Sequence, residues 1–411
     1  MSPAASMPTG PRPAAVLIVI LAACAIAVIG FGLRSSLGLF LEPMTEARDW
    51  SRASFSLALA VQNLFWGLGL PFAGALADKI GPARVIAFGS LLYAAGLTGM
   101  AYAPSESLLV ISAGVLAGTG IAFTAFTLAL AAMARVVGPS RRSLALGLGT
   151  AAGSFGQVVF SPLGQAFISN YGWQSALLIF VGMALSIIPF AFMLPSGAQE
   201  AGKMAEAEQT MGDALREAFA HQGYILLTIG FFVCGFHVAF MTVHMPAYVI
   251  DLGLAPQVGA YCLALIGLFN IAGSLAAGAI GQRFAKQRSL AAIYFLRAVA
   301  IGMLLLAPKT ATTLYIFSAV MGLLWLSTVP LTTGIVAQVF GVRYMATLFG
   351  IVFLSHQIGS FIGVYFGGYL YDVTGSYDGI WYAGIALGLL ATLVHLPINE
   401  RPLPRLNAAN A

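Results

Sequence analysis

Charged side chains are scarce: Asp, Glu, Lys and Arg together make up 8% of the 411 residues. A soluble domain carries roughly a quarter of its residues charged, so too little charge is present to clothe a water-facing surface. Cysteine is scarcer still. Cys24, Cys234 and Cys262 all fall within apolar runs and fit neither a disulfide framework nor zinc spacing, which leaves apolar packing as their role. No metal-ligand cluster, nucleophile triad or soluble signalling segment is present, so neither an enzyme acting on lipids nor a membrane sensor is supported, and no cofactor or metal is expected. The basic residues are scattered over many segments instead of gathered on one surface, which excludes a nucleic-acid partner despite a pI of 9.2.

What the chain has in abundance is apolar surface. With 59% hydrophobic residues and a mean hydropathy of +0.91, it must be dissolved in a lipid bilayer. A hydrocarbon core of roughly 30 Å needs about 20 apolar residues per helical span, and the runs here are continuous rather than alternating, so helices are expected and not a barrel. Spans are expected near 15–41, 54–76, 85–103, 107–134, 143–169 and 174–194, then near 222–250, 256–281, 289–307, 312–339, 345–371 and 378–397. The expected fold is all-α: twelve transmembrane helices in two six-helix bundles, residues 1–194 and 222–411. The linker 195–221 regains Gly and charge, and Thr210 with Asp213 has the spacing of a capping box. Met211, Leu215 and Phe219 recur every four residues after it, the pattern of a short amphipathic helix lying on the membrane surface.

The basic residues orient the spans. Arg12, Lys79, Arg84, Arg135, Arg141, Arg142, Lys203, Arg216, Arg283, Lys286, Arg288, Arg343, Arg401 and Arg405 fall on one side, against Arg48, Arg52 and Lys309 on the other. By the positive-inside rule both termini are expected in the cytoplasm, and the expected location is the cytoplasmic (plasma) membrane, a cell inner membrane. "LAAC" at 21–24 imitates the end of a lipoprotein signal, but the apolar run continues past Cys24 as membrane helix.

The two halves repeat each other. Residues 74–104 laid on 278–308 match at eight positions without a gap, Gly74 on Gly278 and Pro104 on Pro308 among them, and "GSF" at 153–155 recurs at 359–361. Duplicated six-helix halves are a transporter architecture, in which a midplane site is exposed to each side in turn.

"GALADKIGPAR" at 74–84 resembles the loop signature of the major facilitator superfamily, with Gly74, Asp78, Gly81 and Arg84 on the matching positions. Gly81 and Pro82 suit the short turn between the second and third spans. The resemblance implies that Asp78 latches the cytoplasmic side while the site faces outward; in the second half the pattern decays, with Gln282 in place of the aspartate. Within that superfamily, residues 141–179 are similar to the fifth-helix segment of monocarboxylate transporters. "GFGLRSSLGLF" at 30–40 resembles their first helix, placing Arg34 where eukaryotic members carry a functional lysine, and "GGYLYDVTGSY" at 367–377 is similar to the eleventh-helix end of those proteins and of oxalate/formate exchangers.

Arg34 is the informative residue. It can snorkel toward the headgroups, but Gly30 and Gly38, four residues to either side, leave room for a neighbouring helix or a hydrated cavity. The acidic residues all fall at span ends, in loops or in the linker, so none is placed within a span to neutralise it, and a mobile anion becomes its natural counter-charge. Arginine binds a carboxylate through a fork of two hydrogen bonds. Other candidates for substrate contact are Gln157, His237, Asn270, Trp325, Thr328, His356 and Gln357. His356 falls on the position of a substrate-binding lysine in oxalate/formate exchangers. The stripes Ser154, Gln157, Ser161, Gln165 and Trp325, Thr328, Thr332 serve either helix-to-helix hydrogen bonding or cavity lining. Arg297 is expected in lipid-side or interface packing.

The eighth span departs from the monocarboxylate pattern: Asn270 and Ser274 stand where those transporters carry an aspartate and an arginine. Proton coupling therefore falls to a histidine, with His237, His244 and His356 as candidates. The expectation is a monomeric secondary transporter of a small organic anion, monocarboxylate-like, working by alternating access with proton symport. The alternative, a proton-linked drug or metabolite exporter, lacks the fourth-helix arginine usual in such proteins and the Gly-Pro signature that "FSPLGQ" fails to reproduce.

Overall fold

The computed structural model describes residues 13–137, 142–195, 209–341 and 343–408. Arg12, Arg141, Lys203 and most of the linker lie outside them. Eleven helical stretches are long and apolar enough to cross a membrane. The longest, Gly147–Phe192, is two spans, because Gly172 sits at φ 77 and ψ 160 and turns the chain within it. That conformation is open to glycine and strained for any residue with a Cβ. Twelve spans result, as expected from the sequence.

In chain order they are α1 (Pro13–Ser35), α2 (Arg52–Ile80), α3 (Pro82–Tyr102), α4 (Glu106–Val136, assembled from shorter segments), α5 (142–171) and α6 (173–192). The second set is α7 (Gln222–Asp251), α8 (Pro256–Arg283), α9 (Lys286–Leu306), α10 (Ala311–Leu324 and Thr328–Phe340), α11 (Met345–Thr374) and α12 (Asp378–His395). Local chemistry sets the ends. Ser51, Ser105 and Thr310 each accept a backbone N–H as N-caps of α2, α4 and α10, and Pro82 and Pro256 open α3 and α8, where no N–H is needed.

The halves pack alike. α1 lies against α5 as α7 lies against α11, and α8 on α10 mirrors α2 on α4; α2 meets α11 and α5 meets α8 across the interface. The outer surface is apolar, with Leu17, Leu21, Phe72, Phe88, Met303 and Leu306 exposed, as a lipid-facing band requires. In the linker, Met211–Ala220 is a helix carrying both capping-box bonds between Thr210 and Asp213, and it buries Ala214 and Ala218 while Met211 and Phe219 stay exposed. It is tied to the second half: Glu217 pairs with Arg405, and the Tyr344 hydroxyl donates to the Gln209 carbonyl.

The two halves touch closely on one side of the interface. On the side opposite the linker, Gly38 abuts the Thr242 carbonyl, and a Cβ at Gly368 would fall 2.7 Å from the Arg52 carbonyl oxygen. At the linker-side ends, Cβ atoms at Gly74, Gly147, Gly278 and Gly350 would meet nothing within 4 Å.

Candidate functional site

α1 ends at Ser35 and continues as a 3-10 turn, Leu37–Phe40, so Gly30 and Gly38 do not share one helical face with Arg34. The clearance expected around Gly38 is filled by backbone of the second half. Arg34 itself is half-buried in the bundle and does not reach lipid headgroups. Its Nη2 donates to Asn63 Oδ1 at 2.8 Å, and the guanidinium lies over the Trp66 indole, 4.2 Å from the ring centroid. Asn63 is oriented by its own Nδ2, which donates to the Leu59 carbonyl at 2.8 Å. Both partners are neutral, and Arg34 has no ion pair among the described residues.

Arg34, Leu37, Leu59, Gln62, Asn63 and, from α7, Ala239, Thr242 and Val243 enclose a cavity of about 10 Å³. That is room for about one water molecule, so the site is contracted around the cation in this form. Tyr93 of α3 is fully buried nearby with a hydroxyl that has no hydrogen-bond partner.

An aromatic ladder carries the site into the second half. Trp66 meets Phe353 edge-on with centroids 5.3 Å apart, and Phe353 stacks on His356 at 5.6 Å. His356 Nδ1 lies 3.1 Å from Gln357 Oε1, and a Cβ at Gly67 would fall 2.7 Å from Gln357 Cγ. Gln357 Nε2 is buried without a partner. Arg34, His356 and Gln357 are thus brought to one level of the interface.

The remaining candidates sit elsewhere. Gln157 donates to the Leu263 carbonyl, and Asn270 bonds Ser154 Oγ, Ser274 Oγ and the Leu326 N–H, joining helices to one another. His237 Nε2 bonds the Gly384 carbonyl of α12. Trp325 is buried at the break in α10, and the Thr328 hydroxyl meets Cys234 Sγ at 3.2 Å. None of these lines the Arg34 cavity. Arg297 is wholly buried, which corrects the lipid-side half of its expectation. It donates to the Leu324 and Trp325 carbonyls, which the break in α10 releases from helical pairing. At the loop motif, Gly81 turns at φ 89 as expected, while Asp78 and Arg84 are exposed and have no partner among the described residues.

A feature that sequence reading missed closes the side opposite the linker. Arg52, counted there as a loop charge, is the first residue of α2 and is only 8% exposed. Its Nη1 and Nη2 fork onto Asp251 at 2.7 and 2.8 Å, Nη2 also donates to Glu42 at 2.5 Å, and Nη1 donates to the Tyr377 hydroxyl at 3.1 Å. Tyr371 lies under the guanidinium at 3.7 Å and donates its hydroxyl to Asp251. Asp372 caps the start of α2, accepting from the backbone N–H groups of Arg52 and Ala53. Glu42 and Arg52 belong to the first half, and Asp251, Tyr371, Asp372 and Tyr377 to the second. Burial holds the Tyr377 phenol above its ordinary range, so it stays a neutral hydrogen-bond group. The signal available beforehand was a cluster of charges at span ends, with partners 199 and 325 residues away in sequence.

Comparison with known proteins bears on this geometry. The family model described as Major Facilitator Superfamily matches residues 19–364. The chain is 29% identical over 393 residues to monocarboxylate transporter 13 of Rattus norvegicus, covering 92% of this chain and 89% of that one. It is 25% identical over 356 residues to the uncharacterized MFS-type transporter YcxA of Bacillus subtilis, covering 84% and 85% of the two chains. The crystal structure of a D-xylose-proton symporter shares the fold with a TM-score of 0.76 at 13% identity, covering 94% of this chain and all of that one.

Proposed function

This chain belongs to the major facilitator superfamily, and we propose that it is a secondary transporter of a small organic anion of the monocarboxylate class, moved by alternating access with proton symport. It is a multi-pass membrane transporter and not an enzyme. The observation that carries the anion reading is Arg34: a guanidinium inside the bundle whose partners are a neutral amide and an indole. A cation so held keeps its charge, and an entering carboxylate is the group that satisfies it best. The names of the monocarboxylate transporter relatives support the same class.

The form described is the one closed opposite the linker. Arg52 and Asp251 bind the halves there. Asp78 without a partner accords with a latch released on the open side. The linker side is read as the cytoplasm, because the basic residues of the loops gather on it, with both termini inside the cytoplasmic membrane. His356 and Gln357, joined to Trp66 by the aromatic ladder, are the second-half groups that would meet a bound anion. Gln157, His237, Asn270, Trp325 and Thr328 contribute by holding helices around that site. The working unit is read as the monomer, since both halves that line the Arg34 cavity belong to one copy of the chain.

The test is uptake of a panel of labelled carboxylates into proteoliposomes, with and without an imposed pH gradient, for wild type and Arg34→Gln. Gradient-driven accumulation of one acid by wild type, lost in Arg34→Gln, is the expected result. Uptake indifferent to the gradient would remove symport, and stimulation by cationic drugs instead of acids would overturn the anion reading.

A further inference from the structure

The four buried histidines of the membrane helices differ in what they touch. His237 bonds the Gly384 carbonyl, His395 the Ala391 carbonyl of its own helix, and His356 its neighbours on α11 and Cys234 of α7. His244, wholly buried, is wired across the interface. Its Nε2 lies 2.8 Å from the Val364 carbonyl and 3.5 Å from Ser56 Oγ of the first half; its Nδ1 lies 3.1 Å from the Tyr377 hydroxyl, which is also 3.1 Å from Arg52 Nη1.

Hydrogen-bond chemistry fixes the protons in this chain. A carbonyl only accepts, so Nε2 carries a hydrogen and donates to Val364. A guanidinium only donates, so Arg52 gives a hydrogen to the Tyr377 oxygen. Tyr377 then points its own hydrogen at His244 Nδ1, which accepts it. The closed arrangement therefore specifies a neutral imidazole. A proton on Nδ1 would turn the Tyr377 hydrogen away from the ring, costing that hydroxyl its acceptor, and bring a second cation within two hydrogen bonds of Arg52.

Among the described residues, the surroundings offer no unpaired acid to absorb that charge. α11 presents the Val364 carbonyl and, at Gly367, a backbone on which a Cβ would strike the ring; α2 presents Ser56; the turn before α12 presents Tyr377. On its own helix the Phe240 ring lies 5.4 Å away. The charged groups that act on the ring are Arg52 and Asp251, and Asp251 is already paired with Arg52.

We propose that the gate opposite the linker is proton-sensitive: the Arg52 cluster closes only while His244 is neutral, and Tyr377 transmits the state of the imidazole to Arg52. This rests on the alternating-access part of the reading above, not on the identity of the cargo. The gate closes while the imidazole is neutral and is released as acidification protonates it.

The test uses the full chain in liposomes without substrate, with Cys24, Cys234 and Cys262 replaced by serine and spin labels on Ala47→Cys and Gln257→Cys, exposed positions of opposite halves. Electron-electron distances are measured from pH 8 to pH 5. In this background the long-distance population rises on acidification, by about tenfold or more in the open-to-closed ratio. His244→Gln and Tyr377→Phe, the second removing only a hydroxyl, flatten the dependence. A flat background profile, or an unchanged dependence in both variants, overturns the proposal and, in the latter case, assigns the titration to another group, such as Glu42 of the same cluster or another histidine. A gate that responds as described in a protein that moves no carboxylate leaves this proposal standing and removes the anion reading.

Discussion

Asn63 holds Arg34 without neutralising it: its Oδ1 accepts Nη2 at 2.8 Å while its Nδ2 is committed to the Leu59 carbonyl at the same distance. The amide fixes the guanidinium in place and leaves its charge unanswered. Asn63→Asp supplies a resident carboxylate at the same spot. Anion uptake is expected to fall about tenfold or more in kcat/KM, whereas Asn63→Ala, which only loosens the guanidinium, costs about 1 kcal/mol, roughly fivefold. Initial rates of labelled carboxylate uptake check both; an Asn63→Asp protein as active as wild type would show that Arg34 is not the anion's counter-charge.

Asp251 is the acceptor that joins Arg52 to the other half. Asp251→Asn keeps the shape and removes the charge, weakening charge-assisted bonds worth about 1.5–3 kcal/mol each. The equilibrium should move toward opening opposite the linker by roughly tenfold to a hundredfold. Labelling of an introduced Ala239→Cys, on the α7 wall of the Arg34 cavity, by a membrane-impermeant thiol reagent added from that side should accelerate accordingly, and an unaltered rate would count against the cluster as a gate.

Gly368, like Gly38, marks a close touch of the halves on that side, here against the Arg52 carbonyl and Ser56. Gly368→Val leaves the packing within each half intact but holds the interface apart. Transport should fall at least tenfold with expression and detergent-extracted melting temperature within the wild-type range. Loss of folding in place of loss of transport would assign the glycine to assembly of the second half.

The linker helix is titratable. Its Asp213 carboxyl accepts from the Thr210 hydroxyl and backbone N–H, and these bonds hold it below the ordinary carboxylate value. The stabilisation it gives the helix is complete above the ordinary carboxylate range and is lost as pH falls through the depressed value. Amide exchange in Met211–Ala220, corrected for intrinsic rates, should be slow at pH 7, faster near pH 3, and faster at pH 7 in Thr210→Ala by about fivefold. Equal protection at both pH values would remove the cap from the account.

The fold was legible because its cause is compositional. Continuous apolar runs of span length and the return of charge between 195 and 221 follow from the bilayer, and even the turn at Gly172 falls in the gap between two expected spans. Arg34 was legible as an oddity in one short stretch, and so was its lack of a resident acid. Asn63 and Trp66 were not, since a polar or aromatic residue on α2 means nothing until a register sets it beside α1. Arg52 misled for a related reason. A charge at a span end counts toward orientation in a linear reading, and its partners on α7 and in the turn before α12 become visible only when the halves are docked. The stripes on α5 and α10 were legible as polar faces, but which neighbour each face meets is a property of packing alone.

Arg297 sets a limit on how the second half moves. Straightening the break in α10 would recapture the carbonyls of Leu324 and Trp325 for the helix and strip a fully enclosed cation of its acceptors. α9 and α10 are in effect welded at that joint. A stroke delivered by cargo then travels as a tilt of the C-terminal helix bundle and not as a bend at that joint.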